Sequence, residues 1–192
     1  MEVEVKARIS DPFAVREKLE SMGSVFGDTV EHKDSYFKPK GFDSRPEGPG
    51  DFILRIRSKK SHGAKNPASH WLTYKALTEM LGVWVEHETP IGNPEEAMNI
   101  LEGSNFVHIC TLNKKRTMGS CGDFEVHIDD VEELGKFIEV AHDIDDDGEK
   151  EATQARILEF LRKLGIDDKD IERRGYGELM GEKLGHKYHK MR

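Results

Sequence analysis

Glu2 and Glu4 lie two residues apart, Lys6 follows two residues later, and Val3 and Val5 fill the gaps. Side chains of a β-strand alternate between its two faces. Read as extended, this stretch sends two carboxylates and an ammonium one way and two valines the other. The pattern returns along the chain. Arg55 and Arg57 share a face opposite Leu54 and Ile56, and Thr73 goes with Lys75. Trp84, Glu86 and Glu88 oppose Val83 and Val85, and Lys114 goes with Arg116. Glu125, His127 and Asp129 oppose Phe124, Val126 and Ile128, and Phe137 goes with Glu139. A sheet with one wet face would also alternate. Here, however, the charges are sorted by sign along single strands, and like charges that close repel unless something neutralises them. Divalent cations neutralise carboxylates, and phosphates neutralise guanidinium and ammonium groups. A metal-bound triphosphate carries both, so the pattern points to phosphoryl chemistry on a charged face turned inward.

The elements that must position these groups are short. Residues 2–9 read as a strand. Ser10 caps a helix with Asp11 and Pro12 in its first turn; Val15, Leu19 and Met22 lie on one face of it, and Gly23 stops it. Residues 32–38 look extended, and a Gly- and Pro-rich loop, 39–50, follows. A strand at 51–58 leads to a basic, mobile loop over 59–69 with Lys59, Lys60 and Lys65. Strands follow at 70–77 and 82–90, and then a second helix is capped by Asn93 with Pro94 at its first position. Residues 106–117 and 123–129 make a hairpin over the turn 118–122, and 136–144 is the last barrel strand. An acidic turn, 143–149, caps a helix over 151–164 that ends at Gly165. Short helical pieces and a basic tail finish the chain. Many short antiparallel strands with few helices read as α+β, and closure into a barrel is one way to remove sheet edges. The expected organisation is one domain over 1–192, with strands within 2–144, helices near 11–22 and 94–102, and a C-terminal helical segment over 150–192.

Composition narrows the classes. The 192 residues are 36% hydrophobic and 34% charged, with a net charge of −8. That is too apolar for disorder and too acidic for a protein that coats nucleic acid. Cys110 and Cys121 are the two cysteines; they build neither a disulfide framework nor a CxxC zinc site and read as reduced thiols. No apolar run approaches the ~20 residues of a membrane span, and charge begins at Glu2, so no signal peptide is expected. The expectation is a soluble, cytoplasmic protein without nucleic-acid or membrane partners.

Glu2-Val-Glu4-Val-Lys6 resembles the ExExK signature of the CYTH proteins, also called triphosphate tunnel metalloenzymes. This superfamily includes class IV adenylate cyclases and thiamine triphosphatases. Further pieces follow in the family's order: Asp34-Ser-Tyr36-Phe37, Leu54-Arg55-Ile56-Arg57, Leu72-Thr73-Tyr74-Lys75 and Lys114-Lys115-Arg116. Glu125 through Asp129, then Val131, Leu134-Gly135 and Phe137-Ile138-Glu139, complete them. The late segment Arg173-Arg174-Gly175-Tyr176-Gly177-Glu178-Leu179-Met180 resembles the ending of the class IV cyclase branch. The resemblance implies a closed eight-stranded antiparallel β-barrel that forms a tunnel. It implies Glu2, Glu4, Asp129 and Glu139 as ligands of Mg²⁺ or Mn²⁺, with Glu86 and Glu88 as weaker candidates. Lys6, Arg55, Arg57, Lys75, Lys114 and Arg116 would grip the triphosphate. Glu2, Glu4, Lys6, Asp129 and Glu139 would form the catalytic set. One position departs from the pattern: family members often carry a second acid two residues after Glu139, and here that residue is Ala141. The departure weakens a second metal site.

The activity implied first is conversion of ATP to cyclic AMP and pyrophosphate. The alternatives are hydrolysis of inorganic, nucleoside or thiamine triphosphate, and non-catalytic binding of a nucleotide or polyphosphate. The C-terminal resemblance favours the cyclase, and a homodimer is compatible with all three. His127 reads as a hydrogen-bonded filler, with metal ligation or proton transfer as its alternative. Tyr36 and Trp84 read as packing residues. Asp143, Asp145, Asp147 and Gly148 spell the start of a calcium loop, but Gln154 stands where the bidentate Glu belongs, so an acidic turn is the better reading.

Overall fold

The computed structural model describes residues 2–44, 47–61, 68–80 and 82–186. Its strands are β1 (Glu2–Arg8), β2 (Val25–Pro39), β3 (Phe52–Ser61), β4 (Ser69–Leu77), β5 (Val83–Ile91), β6 (Phe106–Cys121), β7 (Phe124–Val131), β8 (Gly135–Asp143) and β9 (Ile171–Glu172). The helices are α1 (Pro12–Ser21), α2 (Pro94–Gly103), α3 (Lys150–Lys163) and α4 (Tyr176–Lys183). Strand order is β5-β4-β3-β2-β6-β7-β8-β1-β9, and β5 also pairs with β1. The pairing thus returns on itself, and the fold is the expected α+β closed antiparallel barrel of eight strands, with the short β9 added beside β1.

The chain divides into two compact units. The first comprises Met1–Val30 and Lys114–Arg173, the second Glu31–Asn113 and Arg174–Arg192, so the boundary falls inside β2 and β6. In the first unit, β1 pairs with β8 so that Val5 faces Val140 and Ala7 faces Ile138, and β7 adds Val126 opposite Val140. α3 packs on β1 and β8. Ile157 and Leu161 of α3 are fully buried, as are Val3, Val126, Ile138 and Val140. The valines that alternate with Glu2 and Glu4 therefore belong to a hydrophobic core, at roughly 1.5–3 kcal/mol for each fully buried side chain. In the second unit, Phe37, Ile56 and Leu101 form a core with Leu54, Leu72, Ile91, Ala97, Met98 and Phe106. The alternate residues of β3, Arg55 and Arg57, lie on the other face.

Several boundaries differ from the sequence expectations. Asp11, not Ser10, caps α1: its Oδ1 accepts from the Phe13 and Ala14 amides at 3.0 and 3.1 Å. Pro12 has no N–H to satisfy, which suits the first helical position. β2 begins at Val25, seven residues before the extended stretch expected at 32–38. β6 runs through the expected turn as far as Cys121, and the hairpin turns at Gly122, where φ is 58°. Gly119 is a strand residue here, and the position requires glycine because the Phe26 ring lies where a side chain would stand; a Cβ would meet Phe26 Cδ1 at 2.5 Å. β3 continues to Ser61, so Lys59 and Lys60 are strand residues rather than loop; Lys65 lies outside the described residues. The acidic turn gives α3 no side-chain cap at Glu149. Among the described residues, no helix is long and apolar enough to cross a membrane.

Candidate functional site

Strand register brings the first unit's charged residues together. Lys6 stands opposite Glu139, which stands opposite His127. Arg116 stands opposite Asp129. These side chains share the face away from the valine core, and they are buried: Lys6 is 8% exposed, Lys114 4%, Arg116 8%, Asp129 0% and Glu139 5%. A solvated charged face is therefore ruled out for them. Arg116 Nε and Nη2 donate to Asp129 Oδ1 and Oδ2 at 2.7 and 2.5 Å, and Nη2 also donates to Glu139 Oε2. Lys114 Nζ donates to Asp129 Oδ2 at 3.1 Å. Lys6 Nζ lies 3.5 Å from Glu139 Oε1 and 3.7 Å from Glu4 Oε1.

Burial alone would raise the pKa of Asp129. The charges of Arg116 and Lys114 outweigh it and hold the carboxyl down at about 2. Glu139 is likewise buried, and Arg116, Lys114 and Lys6 hold it well below its ordinary value. Both acids are ionised at neutral pH. Burial, then the Arg116 charge, pushes His127 down to about 4. Arg116 Nη1 donates to His127 Nδ1 at 3.0 Å. Arginine can only donate, so Nδ1 accepts and the ring proton sits on Nε2. Nε2 lies 3.7 Å from Glu125 Oε2. These contacts support the filler reading of His127.

The second unit holds another charged cluster. Asp34, with no exposure, takes Arg57 Nε on Oδ1 at 2.7 Å and Nη2 on Oδ2 at 2.6 Å. The Tyr36 hydroxyl lies 3.5 Å from Asp34 Oδ2, and burial, then the Asp34 charge, raises its pKa above the ordinary tyrosine value. In register, Arg55 faces Thr73, and Thr73 faces Glu88, while Lys75 faces Glu86. Arg55 Nη2 reaches Thr73 Oγ1 at 3.1 Å, Glu86 Oε1 at 3.3 Å and Glu88 Oε2 at 3.4 Å. Thr73 donates to Glu88 at 2.8 Å. Lys75 Nζ lies 3.3 Å from Glu86 and 5.0 Å from the centre of the Trp84 ring. Lys59 Nζ lies 3.6 Å from Glu88 and 5.1 Å from the Trp71 ring centre.

The sequence-predicted residues thus fall into two groups. Glu4, Lys6, Lys114, Arg116, Asp129 and Glu139 come together in the first unit, and Arg55, Arg57, Lys75, Glu86 and Glu88 in the second. Glu2 sits at the start of β1, half-buried, opposite Asp143. Asp143 is the last residue of β8, rather than simply the start of an acidic turn. Ala141 faces both Glu4 and Glu125, which places a methyl group where a further carboxylate would complete the row. Sequence reasoning gave Asp34 no role, although it stands two residues before Tyr36 in the extended stretch that carries the family pattern. The Thr73 hydroxyl was placed on the right face without its link between Arg55 and Glu88.

The donor chemistry fits a hard divalent ion: Glu2, Glu4, Asp129 and Glu139 offer only carboxylate oxygens. Arg116 engages both oxygens of Asp129, and Arg116 and Lys6 engage the two oxygens of Glu139, so an ion would compete with these cations for either acid. Among the described residues, no three His, Cys, Asp or Glu side chains converge closely enough to hold an ion.

Comparison with known proteins gives the chain its relatives. It is 31% identical over 183 residues to a Methanocaldococcus jannaschii protein named "Putative adenylate cyclase", covering 94% of this chain and 99% of that one. The solved PH1819 protein of Pyrococcus horikoshii superposes with a TM-score of 0.80 at 27% identity, over 95% of this chain and 99% of that one. A Hippeastrum protein described by its dominant triphosphatase activity shares the fold, with a TM-score of 0.61 at 18% identity over 96% of each chain. The family model described as the CYTH domain matches residues 1–176, and the chain belongs to the CYTH family.

Proposed function

We propose that this protein is a metal-dependent enzyme of the class IV adenylate cyclase type, converting ATP to cyclic AMP and pyrophosphate. The observation that carries the reading is the burial of Lys6, Lys114 and Arg116 beside ionised Asp129 and Glu139 in a chain whose net charge is −8. Burying charges is costly unless they are paired, and a structural core would use apolar residues in their place. The relative from Methanocaldococcus jannaschii supports the cyclase reaction by its name.

In this reading Lys6, Lys114 and Arg116 of the first unit bind the phosphate chain and balance the charge that develops on the leaving pyrophosphate, and Arg55 and Lys75 are the phosphate-binding candidates of the second unit. Arg57 is fixed in one orientation by its two bonds to Asp34. Glu2, Glu4, Asp129 and Glu139 would hold a Mg²⁺ or Mn²⁺ ion, which would supply acidification of the 3′-hydroxyl and neutralisation of phosphate charge. His127 orients Arg116 through Nδ1. Ala141 favours a single ion over two.

The test is turnover of ATP and of inorganic triphosphate with Mg²⁺ or Mn²⁺, with every product identified. Cyclic AMP with pyrophosphate supports the cyclase. Orthophosphate with a diphosphate moves the reading to a triphosphatase. Tight triphosphate binding without product from either substrate leaves a binding protein.

A further inference from the structure

Arg55 and Arg57 lie two residues apart on one face of β3, yet they are held in opposite ways. Arg57 makes two parallel bonds to one fully buried carboxylate, the geometry a guanidinium favours most. Arg55 crowds three acceptors onto Nη2 at 3.1, 3.3 and 3.4 Å. Its Nε–H is buried and has no hydrogen-bond partner among the described residues. A buried donor left unsatisfied is destabilising. Its acids are also less enclosed: the side chains of Glu86 and Glu88 are each 27% exposed, against 0% for Asp34. Each is shared between two cations, Glu86 by Arg55 and Lys75, and Glu88 by Arg55 and Lys59.

We propose that Glu86 and Glu88 are exchangeable counter-ions of Arg55, Lys75 and Lys59, which a polyphosphate displaces on binding, and that they thereby set how much negative charge a ligand needs. This rests on the triphosphate reading above and gives the two acids a role other than metal ligation. A singly charged phosphate gains little by displacing a carboxylate of equal charge. A triphosphate offers several charges on a connected chain and replaces both acids at once. The competition discriminates by ligand charge without any new contact. Phosphate oxygens would also supply the acceptor that Arg55 Nε–H lacks.

The experiment is calorimetric titration in chelator-treated, metal-free buffer with inorganic tripolyphosphate and with orthophosphate. The proteins are wild type, Glu86→Gln/Glu88→Gln, Arg55→Gln, the triple variant, and Glu95→Gln. Glu95 is exposed on α2 and controls for loss of a remote negative charge. The Gln pair is expected to bind tripolyphosphate more tightly by on the order of tenfold per carboxylate, and to narrow the preference for tripolyphosphate over orthophosphate. Most of that gain should vanish in the Arg55→Gln background, and Glu95→Gln should match wild type. Unchanged or weaker binding by the Gln pair overturns the proposal, as does a gain that persists in full without Arg55. Binding by the Gln pair where wild type binds nothing would support the counter-ion role. Absence of binding by both would overturn the counter-ion proposal, and its persistence when the titration is repeated with Mg²⁺ would overturn the triphosphate reading as well.

Discussion

Asp34 and Arg57 form a fully buried, doubly hydrogen-bonded pair at 2.7 and 2.6 Å. Neither group can lose its partner cheaply, because the survivor would be a buried charge deprived of two charge-assisted hydrogen bonds. Asp34→Ala should therefore destabilise the protein by about 3–5 kcal/mol, seen as a lower urea midpoint. A loss below about 1 kcal/mol would mean that Arg57 finds other compensation.

The same pairing makes Arg55 the cleaner probe of ligand binding. Arg57→Ala would take two charge-assisted hydrogen bonds from buried Asp34 and confuse binding with stability. Arg55→Ala leaves Glu86 with Lys75 and Glu88 with Lys59 and Thr73. Triphosphate affinity should fall by about 1.5–3 kcal/mol for a lost charged hydrogen bond, with little change in melting temperature. Unaltered affinity by calorimetry would remove Arg55 from the phosphate-binding set.

Glu4→Gln should lower metal-dependent turnover by roughly 100-fold or more, while the circular dichroism spectrum and melting temperature stay near wild type. Lys6 keeps Glu139 as a partner at 3.5 Å, so no charge is stranded. Activity retained with the same metal dependence would refute the assignment of Glu4.

Acid should weaken the metal-free protein in two stages. His127 is held at about 4 when folded, below its ordinary 6.5. The unfolded chain therefore takes up this proton first, and stability falls as pH drops from about 6.5 towards 4, by up to about 3 kcal/mol. Asp129, held at about 2 against an ordinary 3.8, stabilises the fold above pH 4, and that contribution is lost as pH falls towards 2. Urea midpoints across this range should show both stages, and His127→Gln should remove the upper one. A flat profile between pH 7 and 5 would contradict the burial of a neutral imidazole.

Cys110 should resist modification in the folded state. It is 2% exposed, and burial, then the Asp34 charge, pushes its thiol up to about 12. At pH 8 it carries almost no thiolate. Its labelling by a thiol reagent should require unfolding, whereas rapid reaction in the native protein would show that the segment around it opens.

Much of this molecule is written in its two-residue alternation. Val3 and Val5 against Glu4 and Lys6, and Leu54 and Ile56 against Arg55 and Arg57, divide each strand into an apolar and a charged face. That division follows from strand geometry alone, so α+β antiparallel architecture and the candidate residues were legible without coordinates. Local chemistry also marked the helix ends at Asn93 and Gly165. Turns were less legible: Gly119 resembles a turn glycine, and only the Phe26 ring packed over it explains why this residue of β6 is a glycine. Pairing across strands was not legible at all. No spacing along the chain says that Arg57 belongs to Asp34 while Arg55 is shared between Glu86 and Glu88. Those partners lie 23 to 33 residues away in sequence, and register, set by the packing of the apolar faces, selects them. Residue types alone determined that charge would be concentrated here; tertiary structure decided which charges neutralise each other, because that depends on distances only folding creates.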